Sequence, residues 1–469
     1  MEGKISFDEA LNEIKIGKFH FILLLILGII HSCDATEMLI LSFLGPILTC
    51  NWQVTVFEDV TLKTVVFIGI FFGSPIFGKF SDLYGRKTAL LTTNSGLLFF
   101  GTVSVVTPTI YWMIIIRFFI GVFIGGNSSS IYSLLSEWTP SNHRGTFMVL
   151  LQFFWGVGSI FITSVGFAII PRISWRIFLL VATIPIYFVL LSMIWIPESP
   201  RYLLLHKQQA KCLELINQMT RKNTSERRIS DFKDAPMLSS SFRDLVHPNY
   251  IVTTFLMCLM WFISGLTYYG LILILTVINK IPHRCLQDMS VVSGILKNKM
   301  NVTIDNSCCF QMRNSDYRNM LLSASGEIIF VPISLVFINT VGRKLTFTIF
   351  TSIICFGMLF LNFCLTPTLL SILLFFTRGA IKSFQNTNYI YTTEVFPTSI
   401  RSFATGFCNS WSRIGGIMSP FIVNIIITQY SFLGGTIIFF TLNFIAIIIS
   451  FVLPYETKNR KLYQTAGHN

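Results

Sequence analysis

The clearest indication of the fold is the segment Gly78-Lys79-Phe80-Ser81-Asp82-Leu83-Tyr84-Gly85-Arg86-Lys87. A related turn recurs later in the chain as Asn339-Thr340-Val341-Gly342-Arg343-Lys344. Each Gly-Arg-Lys turn connects the second and third long apolar runs in its own half of the chain. Gly85 and Gly342 permit the unusual backbone angles of a tight turn. Two such turns at matching places indicate an internal duplication, with two related helix bundles in one protein.

The composition places most of the chain in a lipid bilayer. Of its 469 residues, 52% are hydrophobic and 12% charged, whereas soluble domains average about 25% charged residues. A spanning helix needs about 20 mostly apolar residues. Runs of that kind lie near residues 19–44, 61–80, 88–107, 111–135, 146–170, 176–196, 250–275, 320–340, 345–364, 371–392, 402–427 and 433–453. The sequence therefore predicts an all-α membrane protein with twelve transmembrane helices in two six-helix, pseudo-symmetric halves.

A polar stretch divides the apolar runs into six before it and six after it. Residues 201–249 are rich in basic residues and lack a long apolar run, which predicts a cytosolic linker with short amphipathic helices around 205–220. We therefore expect an N-terminal bundle over 1–200 and a C-terminal bundle over 250–469, with an exterior loop at 276–319.

The formal net charge of +13 is explained by membrane topology. With the N-terminus inside, the bases of both termini, the linker and both Gly-Arg-Lys turns become cytosolic. The opposite loops near 108–110, 365–370 and 428–432 contain no Lys or Arg, as the positive-inside rule requires. The basic loop 276–319 is long enough to be translocated across the membrane regardless of its charge. We therefore expect cytosolic termini and no nucleic-acid partner.

The exterior loop carries features of an oxidising compartment. Asn301-Val302-Thr303 matches the N-glycosylation pattern, so Asn301 is predicted to carry a glycan. Cys285 lies in the same loop as Cys308 and Cys309. A disulfide from Cys285 to either of them is compatible with the oxidising, exterior side of the membrane. An unglycosylated loop with free thiols is the alternative. No His/Cys cluster has zinc spacing, so neither a metal nor another cofactor is expected.

The turn residues predict a gate. Asp82 could cap the next helix or pair with a nearby base, and Arg86 and Lys87 suit a cytosolic face. A pair that forms in one conformation and breaks in another would act as a gate, whereas the alternative role is a topology anchor. The recurrence of the turn at matching places favours the gate.

The turns resemble those of the major facilitator superfamily, whose hallmark has the form G-x-x-x-D-x-x-G-R-K/R. The first copy matches from Gly78 to Lys87, but Asn339 stands where the second copy commonly has an acid. A charge-based lock is therefore expected to be weaker in the second half. Pro197–Leu203 resembles the PESPR motif of sugar porters and organic-ion transporters, and Pro454–Arg460 resembles the PETKGR tail with one residue inserted.

Further motifs support this resemblance. An acid, a proline and an arginine recur in Glu137–Gly145 and Glu394–Arg401. Asp34–Met38, Cys50–Trp52 and Tyr391–Val395 look like the synaptic vesicle two-related protein group. The resemblance adds the gating candidates Glu137, Arg144, Glu198, Arg201, Glu394, Arg401 and Glu456.

Charged residues inside spans are costly, so each is a functional candidate. Asp34 and Glu37 share one face of the first span, and Arg117 lies in the fourth. Proton-driven sugar porters pair an acid of span one with an arginine of span four, and the resemblance assigns these roles to Asp34 and Arg117. Asp34 would release Arg117 when it is protonated and hold it when it is deprotonated, which would couple a proton to the conformational cycle. The alternative is a permanent structural ion pair.

The remaining charges leave the sign of a bound solute open. Glu37 and Glu327 could bind a cation, whereas Lys382 and Arg413 could bind an anion. Arg378 is expected to mirror Arg117 in the second half.

Span seven bears on the kind of solute. It lacks the paired glutamines that sugar porters use, which makes a sugar a less favoured substrate. Tyr268 and Tyr269 could bind an aromatic or cationic solute through their ring faces, or could only pack between helices.

These features predict a monomeric, multi-pass transporter of a small organic solute, an organic ion being favoured, in a vesicle or plasma membrane. Alternating access is the expected mechanism, with proton coupling as one option. A receptor or regulatory binding protein on the same fold is the main alternative. A channel suits the paired gate loops less well. No catalytic residues are proposed, because the sequence has no nucleophile elbow, phosphate loop or metal motif.

Overall fold

A computed structural model describes residues 16–457, except for 141–142, 207, 223–244, 246, 249, 279–313, 364 and 397–399. Several predicted features therefore lie outside the described residues. These are the glycosylation site Asn301, the three loop cysteines Cys285, Cys308 and Cys309, and most of the predicted linker.

The N-terminal half consists of six long helices. They are α1 (Lys18–Trp52), α2 (Val56–Tyr84), α3 (Arg86–Val103), α4 (Ile110–Trp138), α5 (Arg144–Ile169) and α6 (Trp175–Ser192). Short 3-10 segments, Ser104–Val106 and Met193–Trp195, extend α3 and α6. At the start of α2, Thr55 and Glu58 form a reciprocal capping box, which satisfies backbone N–H groups that the helix leaves unpaired.

The C-terminal half repeats this arrangement after two short helices. The short helices are α7 (Pro200–Leu205) and α8 (Gln209–Lys222), and α8 overlaps the predicted amphipathic stretch at 205–220. The long helices are α9 (Ile251–Ile278), α10 (Asn314–Thr340), α11 (Arg343–Phe360), α12 (Pro367–Val395), α13 (Arg401–Phe421) and α14 (Phe432–Val452). The π-helical segment Ile422–Tyr430 continues α13.

The predicted membrane architecture is confirmed. Among the described residues, eleven helices are long and apolar enough to cross a bilayer. The twelfth is α12, which is 29 residues long but more polar. Its Arg378, Lys382, Asn386 and Asn388 are all buried within the protein, so these polar groups are kept away from lipid. On the outer surface, by contrast, large apolar side chains such as Phe188 and Phe255 are exposed, as a bilayer requires.

Glycines bring helix backbones into direct contact in both halves. A Cβ added to Gly73 of α2 would lie 2.1 Å from the carbonyl oxygen of Val122 in α4. A Cβ on Gly265 of α9 would lie 2.2 Å from the carbonyl oxygen of Ser412 in α13. Only a residue without a side chain allows this approach, so each half contains a tightly packed helix pair.

The two halves face each other through four helices, with α5 against α10 and α2 against α13. We call the end of the molecule that holds Gly85 and Gly342 the Gly-Arg-Lys end. At the opposite end, Asn424 Nδ2 donates to Asp59 Oδ2 across the two halves at 2.8 Å.

Candidate functional site: two clamps and a buried polar centre

A cluster that we call the first clamp closes the Gly-Arg-Lys end of the N-terminal half. Arg86 donates from Nε and Nη2 to the two carboxylate oxygens of Glu137, at 3.2 and 3.1 Å. Glu198 Oε1 accepts the backbone N–H of Arg86 at 2.8 Å and so caps α3. The Ser199 hydroxyl also donates to Glu137. Paired charge-assisted hydrogen bonds of this kind fix both position and orientation.

The second clamp repeats these contacts in the C-terminal half. Arg343 donates from Nε and Nη2 to the two oxygens of Glu394, at 2.8 and 2.6 Å. Glu456 accepts the backbone N–H groups of Arg343 and Lys344, at 2.9 and 3.0 Å. Thr457 takes the place of the serine and donates to Glu394 at 2.6 Å. The internal duplication therefore extends from the turn motif to the full set of contacts around it.

The two clamps have the same spacing along the chain. Arg86 and Glu137 are 51 residues apart, and so are Arg343 and Glu394. Glu198 stands 112 residues after Arg86, whereas the acid of the tail stands 113 residues after Arg343. The extra residue is the insertion noted in the tail motif, and the clamp tolerates it.

Asp82 pairs with a base rather than capping a helix. Its Oδ1 lies 2.9 Å from Arg86 Nη2, but its side chain is 71% exposed. Exposed ion pairs contribute little, about 0–1 kcal/mol. Asn339 occupies the position of the second turn that corresponds to Asp82. The uncharged asparagine costs the second clamp only this exposed ion pair, and the bidentate pair of Arg343 with Glu394 remains.

The other gating candidates have different environments. A Cβ added to Gly78 would meet nothing within 4 Å. Lys87 contributes its backbone N–H, which lies 3.3 Å from Glu198 Oε1. Arg144 begins α5, and Arg201 lies in α7. The side chain of Arg401 is outside the described part of the chain.

Alanine at Gly85 should weaken the first clamp more than alanine at Gly342 weakens the second. Both glycines have positive φ angles, +98° and +101°, and a side chain there costs about 1–3 kcal/mol. The new Cβ would lie 2.4 Å from Glu198 in the first clamp but 3.1 Å from Glu456 in the second. Thermal unfolding of the purified variants would measure this order. Gly145→Ala, with nothing within 4 Å of its new Cβ, is the control, and equal melting temperatures would contradict the expectation.

The buried centre contains an ion pair between α1 and α4 that differs from the predicted one. Arg117 Nη1 lies 2.8 Å from Glu37 Oε2, with both side chains almost fully buried. The prediction that Arg117 pairs with Asp34 is therefore wrong in this structure. The two helices run antiparallel, so the acid nearer the end of α1 meets the arginine near the start of α4.

Asp34 lies in a hydrogen-bonded cluster of neutral side chains. Its Oδ1 accepts from Asn127 Nδ2 at 2.9 Å. Asn127 Oδ1 in turn accepts from Asn94 Nδ2 and from the Thr93 hydroxyl, at 2.9 and 2.5 Å. Asp34 Oδ2 is buried and has no hydrogen-bond partner among the described residues. Asn94 and Asn127 were not anticipated from the sequence as partners of this acid.

The second half contains a buried ion pair between α10 and α12. Arg378 Nε donates to Glu327 Oε1 at 2.6 Å, and Tyr268 donates to the same oxygen at 3.0 Å. Arg378 Nη2 also donates to Ser159 Oγ of the other half, at 2.7 Å.

The predicted equivalence of Arg378 and Arg117 is off by one helical turn. The clamp arginines, Arg86 and Arg343, are 257 residues apart in the sequence. The residue 257 positions before Arg378 is Gly121, which is therefore its counterpart in the first half. Gly121 follows Arg117 by four residues, or about one turn.

Two further bases lie near the interface of the halves. Lys382 is buried, and its Nζ donates to Gln152 Oε1 of α5 at 2.7 Å. The ammonium lies 5.3 Å from the ring centroid of Trp155 and 6.0 Å from that of Tyr268. Arg413 of α13 is half-buried and interacts with Tyr269. Within the described parts of the chain, neither base has an ion-pair partner.

A stacked tyrosine pair joins the halves between this centre and the Gly-Arg-Lys end. The rings of Tyr132 and Tyr389 have centroids 5.4 Å apart and an interplanar angle of 28°. The step of 257 residues relates them, so each tyrosine meets its own counterpart in the other half. Gln152 donates to Tyr132 at 2.6 Å, which connects the pair to Lys382. The shared spacing identifies the two tyrosines as counterparts, but the sequence did not predict that their rings are in contact.

Two helix bundles with matching end clamps and a polar centre between them define a membrane transporter of the major facilitator type. Family comparisons agree with this class. Residues 58–281 match the family described as sugar (and other) transporter, and residues 319–467 match the Major Facilitator Superfamily.

Similar proteins narrow the assignment. The chain is 30% identical to the synaptic vesicle 2-related protein of Xenopus laevis over 460 residues, which cover 98% of this chain and 82% of that protein. It is also 30% identical to the putative transporter SVOPL of Homo sapiens, over 97% of this chain and 93% of that one. The chain therefore belongs to the major facilitator superfamily and is a homologue of the synaptic vesicle 2-related proteins.

Solved structures agree on the fold. The partially occluded, inward-open xylose transporter XylE from E. coli superposes with a TM-score of 0.70 at 14% identity, covering 95% of this chain and all of that one. An inward-open structure of the same transporter gives a TM-score of 0.66 at 16% identity. At these identities the match establishes the fold alone.

Proposed function

We propose that the protein moves a small organic ion across a membrane by alternating access between its two halves. One observation carries the proposal: in the middle of the bundle, single hydrogen bonds between polar side chains join the two halves. They include the bonds from Arg378 to Ser159, from Lys382 to Gln152, and from Trp155 Nε1 to the Tyr268 hydroxyl at 2.5 Å. Such bonds can be exchanged for water or solute when the halves separate, whereas each half is packed tightly inside by its glycines.

The Gly-Arg-Lys end faces the cytosol in this proposal. The positive-inside rule supports it, because the basic residues of the two turns, Arg86, Lys87, Arg343 and Lys344, lie at that end. The predicted linker over 201–249 and both termini would then be cytosolic, and the loop over 276–319 exterior. The protein would act as a monomer, in a vesicle membrane or in the plasma membrane.

Asp34 is the proposed site of proton coupling, in place of an Asp34–Arg117 pair. One of its oxygens has a neutral amide partner, and the other has none among the described residues. A protonated carboxyl fits this setting, whereas a carboxylate would be buried with only the more distant charge of Arg413 to balance it. Glu37, one turn further along α1, is already neutralised by Arg117.

Uptake by the purified protein in liposomes tests both the transport of an organic ion and the coupling of a proton at Asp34. An unbiased solute screen should find an accumulated organic ion, and an inward-directed proton gradient should raise its accumulation several-fold. Asp34→Asn should remove the response to the gradient while solute exchange persists. Glu214→Gln, at an exposed acid of α8, is the matched control.

Other outcomes distinguish the alternatives. A gradient response that persists in Asp34→Asn would refute the coupling role alone. Ligand binding without uptake of any solute would favour a receptor on the same fold.

A further inference from the structure

The charges in the middle of the bundle do not balance. Three acids and four bases lie there: Asp34, Glu37, Glu327, Arg117, Arg378, Lys382 and Arg413. Glu37 and Glu327, which could have bound a cation, are each occupied by a buried arginine. The remaining charges are one acid and two bases. The centre is therefore positive by one unit when Asp34 is ionised and by two when it is protonated.

An excess of buried positive charge is costly in a membrane protein. A charge inside the bilayer costs several kcal/mol unless a counter-charge or water compensates it. Lys382 is fully buried, and its only hydrogen bond to a described residue goes to the neutral carbonyl of Gln152. An ammonium group has three donors, so two remain for a ligand. An anion is the ligand that would relieve this cost.

The surroundings of the two bases also indicate the body of the ligand. Trp155 and Tyr268 lie within 6.0 Å of the Lys382 ammonium. Tyr269 lies beside Arg413 and packs edge-on against Phe67 at 4.5 Å. Ring faces and edges of this kind bind flat, apolar groups.

We propose that the transported solute is an organic anion, whose negative group binds Lys382 and Arg413 and whose apolar body packs on the surrounding aromatic rings. The inference rests on the proposed transport function and specifies its substrate class. Lys382 of α12 and Arg413 of α13 belong to the C-terminal half. Gln152 and Trp155 belong to α5 of the N-terminal half. An anion at this point would thus contact both halves and replace the Lys382–Gln152 bond as it binds.

Matched compounds of different charge test the proposal. The probes are benzoate, benzamide and benzylamine, then 3-phenylpropionate with its amide and amine, and hexanoate with its amide and amine. Full-length protein in detergent is titrated with each compound, and both the thermal shift and the tryptophan fluorescence are followed. The carboxylates should raise the melting temperature and change the fluorescence, and the amides and amines should not.

Charge-removing variants locate the binding site. Lys382→Gln and Arg413→Gln should each weaken carboxylate binding at least tenfold, while Lys382→Arg should retain most of it. The controls are Lys211→Gln and Arg172→Gln, which remove the same charges from exposed positions.

Each other outcome counts against the proposal. Binding of amines, or equal binding of amides and carboxylates, would overturn the anion assignment. Carboxylate binding that survives both Gln variants would overturn the site. If none of the nine compounds binds, the anion inference also fails, and a non-anionic solute found in the broader uptake screen would still leave transport itself standing.

Discussion

Replacing Arg378 with leucine is expected to lower the stability of the protein by about 3–5 kcal/mol, the usual cost of removing one partner from a buried ion pair. Glu327 has a fully buried side chain and, among the described residues, would keep only the hydrogen bond from Tyr268. The contact with Ser159 in the other half would also disappear. Thermal unfolding in detergent should show a large decrease in melting temperature, and uptake should be lost.

The double variant Glu327→Gln/Arg378→Leu separates the two effects. It removes both charges together, so most of the lost stability should return. Uptake should stay absent, because the contact between Arg378 and Ser159 is still missing. A single variant as stable as the parent protein, or a double variant no better than the single one, would contradict the buried pair.

Alanine at Gly73 is expected to destabilise the N-terminal half by about 3 kcal/mol, the upper part of the usual range for overpacking. The new methyl group would lie 2.1 Å from the carbonyl oxygen of Val122, and a backbone atom cannot swing aside as a flexible side chain can. Helices α2 and α4 would have to move apart and would lose packing contacts along their shared interface. Size-exclusion chromatography and thermal unfolding would measure the loss.

Gly78→Ala is a matched control on the same helix. Nothing lies within 4 Å of the added Cβ, and alanine is favoured over glycine in a helix by about 0.5–1 kcal/mol. The two variants should therefore change the melting temperature in opposite directions. A similar change in both would mean that the close approach of α2 and α4 does not limit stability.

Much of the fold was predictable because lipid imposes a simple rule on the sequence. Every spanning helix needs a long apolar run, so counting such runs found all twelve, including α12. The polar residues of α12 did not conceal it, because Leu369, Ile372 and Phe376 keep its exposed side apolar. Repeated turn motifs also identified Arg86 and Arg343, since each clamp uses the same residue types at the same spacing.

The partners in the buried centre were harder to predict. Asp34 and Glu37 share one helical face, so the sequence alone could not decide which acid meets Arg117; the relative height of α1 and α4 decides it. Likewise, the Tyr132–Tyr389 pair joins residues from separate halves, and neither belongs to a known motif. Contacts of this kind depend on how the halves are arranged, which hydrophobic patterns do not encode.

Both clamps are completed by residues at the points where the chain leaves a bundle. Glu198 and Ser199 immediately precede α7, and Glu456 and Thr457 follow the last long helix. A mechanical load on the chain just after Ser199 or Thr457 would therefore reach a clamp directly, without passing through the polar centre.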